Sequence, residues 1–204
     1  MLECSLMRVQ PPALLPILRS RVQGDVLAAV YLSPDREFTV TDLSRMAGAT
    51  FKSTAQEVER LVTAGLLADR RAGNLRLVRR PEPGRLVTAL GELLAATFGP
   101  LPVLSEELAG VAGIEGAYIY GSWAARHEGE PGPVPGDVDV LILGSVSLDM
   151  LDDVAERASG RLHREVNVRR LQAEYWLDPP PDDTFIAEVK KRPLVPIPIE
   201  VAAA

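Results

Sequence analysis

Two short constellations in the second half of the chain have the residue types and spacing for phosphate and metal chemistry. Gly121-Ser122 follows the run Ala117-Tyr118-Ile119-Tyr120, which reads as a strand. A glycine at that corner permits a tight turn, and Ser122 is placed to cap a helix through about Ala125 and Arg126. Free amides at a helix start, with the helix dipole behind them, attract a nucleotide phosphate, and only glycine lets it approach the backbone closely. After a Gly/Pro-rich loop from Glu128 to Pro135, Asp137 and Asp139 open the apolar strand that runs to Leu143. With a side-chain period of two they share a face, the arrangement that holds Mg²⁺ between a protein and a triphosphate. Gly121 and Ser122 are therefore the candidate phosphate-binding residues. Asp137 and Asp139 are the candidate metal ligands and catalytic carboxylates.

The first half carries a different chemistry on a different set of elements. Ala13 to Leu32, with Leu14, Leu15, Ile17, Leu18, Val22, Val26, Leu27 and Val30 at helical spacing, predicts a core helix. Glu37 to Val40 predicts a small strand, Thr41 or Asp42 the cap of a helix to about Met46, and Ala47-Gly48-Ala49 a tight turn. A third helix from about Thr50 to Ala64 buries Ala55, Val58, Leu61 and Val62 and stops at Gly65. Its polar front offers Thr50, Lys52, Ser53, Thr54 and Gln56. Leu66 to Arg70 and Leu75 to Val78 flank the turn residues Ala72-Gly73-Asn74 and predict a hairpin. That hairpin and its exit carry Arg70, Arg71, Arg76, Arg79 and Arg80 against the single acid Asp69, a phosphate-seeking surface. Gln56 suits a base edge, while the arginines suit phosphates and set register.

Charge follows the same division. The chain is 204 residues long with a net charge of −6, yet residues 1–82 hold 12 Lys and Arg against 9 Asp and Glu, and the remainder 10 against 19. With 47% hydrophobic and 25% charged residues the composition is that of an ordinary globular protein. Cys4 is the only cysteine, which excludes an internal disulfide and a cysteine metal cluster. No uninterrupted apolar run approaches about 20 residues, and no signal sequence is evident, so a cytoplasmic protein with no membrane partner is expected. Between the halves, Arg85 to Phe98 reads as a helix with Leu86, Leu90, Leu93, Leu94 and Phe98 at near-heptad spacing. Such a stripe needs a partner, either the first half or the same helix of a second copy, and a homodimer is expected. Gly99 to Pro102 breaks the helix, and a short one follows from about Val103 to Leu108.

Helix, helix, small-residue turn, helix, hairpin is the order of a winged helix-turn-helix, whose third helix enters the major groove while the wing touches the backbone. The wording TVTDLSRMAGATFKSTAQEVERLVTAGLL resembles winged-helix regulators of the arsenic-repressor type over residues 13–80. Metal sensing is not expected of it, because no cluster of Cys, His or carboxylate ligands is present there. The stretch YGSWAARHEGEPGPVPGDVDVLILG is similar to the Gly-Ser, spacer, Asp-x-Asp motif of polymerase-beta-type nucleotidyltransferases, particularly their minimal form, over about residues 112–198. That resemblance implies Mg²⁺ and a nucleoside triphosphate on Asp137 and Asp139, with a third carboxylate on a later strand as ligand and base. Here Asn167 stands in the expected slot of Glu165-Val166-Asn167-Val168, and an amide is no general base and a poorer Mg²⁺ ligand.

The expected fold class is therefore α+β: an N-terminal winged helix-turn-helix over residues 1–82, linker or dimerisation helices over 83–111, and a nucleotidyltransferase-like α/β domain with a mixed sheet over 112–204. The expected function is a transcriptional regulator that grips double-stranded DNA through Thr50, Lys52, Ser53, Gln56, Arg70, Arg71, Arg76 and Arg79. Its second half would be inactive or would sense a nucleotide ligand. The alternatives are an active Mg²⁺-dependent nucleotidyltransferase acting on a protein or small-molecule hydroxyl, and an antitoxin-type module that binds a toxin partner.

Overall fold

In the computed structural model, which describes residues 18–199, chain direction changes where short polar side chains satisfy helix ends. The Ser20 side chain accepts from the Gln23 amide and starts α1 (Arg21–Tyr31). The helix thus begins later than the apolar periodicity predicts, because Ser20 supplies the cap; Leu14, Leu15 and Ile17 lie outside the described residues. β1 (Phe38–Thr39) runs directly into α2 (Val40–Met46). Thr39, not Thr41 or Asp42, caps α2: its hydroxyl accepts from the Asp42 amide at 3.1 Å and Asp42 Oδ2 accepts from the Thr39 amide at 3.1 Å. This reciprocal box uses the threonine that closes the strand. Gly48, at φ +56°, turns the chain into α3 (Phe51–Thr63), capped by Thr50.

Gly65 then leads to β2 (Ala68–Ala72) and β3 (Leu75–Arg79), which form an antiparallel sheet in the order β1-β3-β2 with Phe38 opposite Val78. The first hairpin strand is shifted two residues towards the turn relative to expectation, since Leu67 drops into the core instead of pairing, while the second starts at Leu75 as expected and runs on to Arg79. Phe38, Leu43, Val58, Leu61 and Val78 close a core against Val26 and Val30 of α1.

α4 (Arg85–Phe98) and α5 (Pro100–Leu108) join at Gly99, where an extended backbone bends the axis. Pro100 opens α5, a first-turn position that needs no amide donor, so Gly99 to Pro102 redirects the chain and also begins the next helix. By length and composition alone the stretch Arg85–Leu108 is apolar enough to cross a membrane, although Glu92 interrupts its apolar run. Its two parts, however, serve two cores: Val87 and Leu94 pack on the first half, and Val103, Leu104 and Leu108 on the second. The predicted α4 stripe also divides, because the helix turns about 100° per residue and only one side meets α1. Leu94 is buried and Leu90 and Phe98 half-buried, whereas Leu86 and Leu93 are 64% and 52% exposed.

The second half is built from β4 (Ile114–Tyr120), α6 (Gly121–His127), β5 (Asp137–Gly144), α7 (Leu148–Leu162), β6 (Glu165–Leu171), α8 (Ala173–Leu177), α9 (Thr184–Lys190) and β7 (Val195–Pro196). The sheet order is β6-β5-β4-β7, with β5 and β6 parallel and the other pairs antiparallel, so the sheet is mixed and the fold α+β. Val138, Val140 and Ile142 point to the side covered by α5 and α7, where they meet Leu104, Leu108, Val154 and Ala158. The intervening Asp137, Asp139, Leu141 and Leu143 project from the opposite face. α8, absent from the sequence expectation, lies near β5.

Two polar ties lock the helical layers together. Glu107 of α5 takes hydrogen bonds from Arg157 and Arg161 of α7, both at 2.8 Å. Burial pushes the Glu107 carboxyl up, but the bonds and charge of Arg161 and Arg157 outweigh it and hold it below the usual carboxylate range. Arg164, at the start of β6, bridges the two halves: it donates to Pro135 O at 3.0 Å and to Leu32 O at 2.7 Å, at the C-terminal end of α1.

Candidate carboxylate face and nucleic-acid interface

Strand register sets the first site. Asp139 of β5 lies opposite Tyr120 of β4 on one side and Asn167 of β6 on the other, and Asp137 lies opposite Glu165. The Asn167 amide donates to Asp139 Oδ1 at 3.4 Å. Gly121 has φ +73°, and a Cβ there would stand 2.5 Å from Asp139 Oδ2. What approaches the glycine turn so closely is therefore the Asp139 carboxylate. A phosphate brought to the same corner would meet like charge unless a cation lay between them.

Ser122 does not cap α6 as expected: Tyr120 is the cap residue, without a side-chain bond, and Ser122 sits inside the first turn. The helix starts at Gly121, φ +73°, two residues earlier than a Ser122 cap would place it. Opposite the carboxylates, Phe185 of α9 meets Tyr120 edge-on at 5.8 Å and carries the Arg169 guanidinium 3.6 Å above its ring.

Burial raises the Asp139 carboxyl, the Asn167 hydrogen bond lowers it in part, and the charge of Asp137 raises it again, for a net upward shift. A carboxyl raised by folding loses stability as pH climbs from the ordinary carboxylate range through its folded value. Asp139→Asn is accordingly expected to raise the unfolding free energy at pH 7, and with it the urea midpoint, by a small amount, under about 1 kcal/mol after solvent screening. The gain should vanish below pH 4, and a lower midpoint at pH 7 would reject the strain.

Residues present here fit a three-carboxylate metal site poorly. Asn167 occupies the register position beside Asp139 and turns a donor, not an acceptor, towards it, and among the described residues no three His, Cys, Asp or Glu side chains converge on one point.

The second site lies on α3 and the hairpin. Thr50 spends its hydroxyl on the Ser53 amide at 3.2 Å, while Lys52 and Gln56 stand exposed on the same helix. Thr54 does not belong to the polar front: it is fully buried and donates to Thr50 O. The hairpin arginines differ from the expectation more deeply. Arg70 makes two bonds to Glu37, at 2.8 and 2.5 Å; Arg76 pairs with Asp69 at 2.5 Å and Glu59 at 2.7 Å; Arg79 pairs with Glu82 at 2.9 Å. Acids from other elements thus neutralise three of the five. Arg71 is exposed and, like Lys52, has no ion-pair partner among the described residues. Exposed pairs of this kind are worth about 1 kcal/mol or less, so Arg70, Arg76 and Arg79 can exchange carboxylate for phosphate at little cost.

His127 and His163, read from sequence as isolated polar residues, instead line a cleft between the halves. No sequence signal points there, because its walls come from elements far apart in the chain, among them α1, α2, α4, α5, α6 and the end of α7.

No protein-family model matches the chain, and no curated protein matches it. Among solved structures the chain is similar, at a TM-score of 0.32 and 17% identity, to the heme sensor protein PefR from Streptococcus agalactiae in complex with heme. The likeness covers 44% of this chain and 59% of that one.

Proposed function

We propose that this protein is a DNA-binding transcriptional regulator whose first half is a winged helix-turn-helix and whose second half is a nucleotidyltransferase-like domain without transfer activity. The observation that carries the reading is the placement of α3: it is capped, packed on α1 and α2, and presents Lys52 and Gln56 outward on the same half as a hairpin bearing Arg71. That is the geometry in which a third helix enters a major groove and a wing meets phosphate. In this reading Thr50, Ser53, Arg70, Arg76 and Arg79 add backbone contacts after their internal partners yield. The exposed row Leu86, Ala89, Leu93 and Ala96 on α4 repeats at heptad spacing and suits the same row of a second copy, so the regulator is a homodimer on a two-fold site.

The second half keeps Asp137 and Asp139 but has Asn167 in register beside them, which supports cation or nucleotide binding over turnover. Label from ATP with Mg²⁺ that is incorporated by the protein and lost in Asp139→Ala would overturn the inactive assignment.

DNA binding is tested on a duplex from upstream of the chain's own gene, by fluorescence anisotropy across a salt series. Lys52→Ala with Arg71→Ala is expected to reduce the slope of log K against log salt by about 2 per subunit and to weaken all sequences alike, since each phosphate contact contributes about 0.9. A wild-type protein with no salt-dependent binding would sink the regulator reading.

A further inference from the structure

A cavity lies between the two halves, away from both the carboxylate face and the hairpin. Its volume is about 1180 Å³, comparable with the roughly 300 to 1,000 Å³ of small-molecule sites, which also favour domain interfaces. Three features of its wall point to one kind of occupant.

The first is an aromatic platform. Trp123 and His127, one turn apart on α6, stack at 5.0 Å with 15° between their planes. The second is positive charge without carboxylate partners. Arg126, on the same helix face, donates only to Glu130 O, and its buried Nε has no hydrogen-bond partner among the described residues. Arg164 likewise bonds only backbone carbonyls and the Ser33 hydroxyl. The other wall arginines are already matched, Arg161 by Glu106 and Glu107, Arg21 by Asp25 at 3.6 Å. The third is an apolar opposite wall, formed by Ala29 of α1, Met46 of α2 and Phe98 of α4.

We propose that this cleft binds a small planar aromatic anion, with its ring against the Trp123 and His127 pair and its acid group on the Arg126 guanidinium. Arg164 adds positive potential at the far wall and ties the occupied site to the end of α1. A neutral ring would gain the platform but leave Arg126 uncompensated; a bare inorganic anion would gain the charge but leave the apolar wall wet. The site requires neither DNA nor nucleotide, so it stands or falls independently of the proposed regulator.

The test is isothermal titration of the full chain with 1-naphthoate, with 1-naphthylmethanol as the neutral control. One naphthoate per chain is expected, with binding weakened about tenfold or more in Arg126→Gln. Ala95→Trp, at an exposed α4 position on the cleft wall, should abolish binding without touching either core, and so decides the matter if Arg126→Gln fails to fold. Asp139→Asn should bind as wild type. Absence of stoichiometric binding, equal affinity for the alcohol, or binding unaffected by Ala95→Trp would each overturn the proposal.

Discussion

Gly144→Ala is expected to remove about 3 kcal/mol or more from the second half, the largest loss from a single methyl anywhere in that sheet. Gly144 ends β5 at φ +127°, where a Cβ would stand 2.1 Å from Gly113 O and 3.1 Å from the Glu115 amide nitrogen. Both obstacles are backbone. Gly113 cannot retreat, because it has φ +86° itself and its carbonyl accepts from the Ser145 amide at 2.9 Å. The methyl must therefore either break the β4 and β5 pairing at Ile114 or expel Ser145 from its bond. Both tryptophans, Trp123 and Trp176, lie in this half, and Trp176 is outside the cleft between the halves, so urea unfolding followed by the emission of a Trp123→Phe background reads it alone. A midpoint within error of wild type would mean that the strand end yields freely.

The second large effect belongs to the other core. Phe38 is 2% exposed and stands where β1, the hairpin and the helices meet, with Arg36 over its ring at 5.0 Å. Phe38→Ala should cost about 3 to 5 kcal/mol, the usual range for emptying an aromatic core position. Because the two clusters of buried residues are separate, unfolding should then split. Far-ultraviolet dichroism is expected to fall in two steps, with the later one coinciding with the tryptophan transition at its wild-type midpoint. A single early transition by both probes would show instead that the α4 and α5 junction and Arg164 make the halves one cooperative unit.

Much of this architecture was legible because it is encoded locally. Thr50, Gly65 and the Gly73-Asn74 turn bound α3 and the hairpin with signals that need no distant partner. Asp137 and Asp139 share a face simply by strand period. Misreadings arose where a partner comes from far along the chain. The hairpin arginines look unopposed in sequence because Glu37 and Glu59 lie 33 and 17 residues from the arginines they neutralise. Periodicity places the α4 leucines in one stripe, yet only packing against α1 decides that Leu94 is buried and Leu93 exposed. Ser122 satisfies the cap preference by type, but the helix already starts at Gly121, ahead of it. The cleft is invisible for the same reason: its walls are elements from both halves that only the tertiary fold brings together.

The bend at Gly99 gives the molecule leverage. α4 has 14 residues, so its span is about 21 Å at 1.5 Å per residue. A tilt of about 10° at the hinge, driven from the core that holds α5, would carry the far end of α4 by about 4 Å. That end adjoins the hairpin exit, and the travel is close to the roughly 3.4 Å of helix axis per phosphate of one DNA strand, the ligand of the proposed function. A small rotation of one half would thus be magnified into a displacement on the scale of one base-pair step at the other.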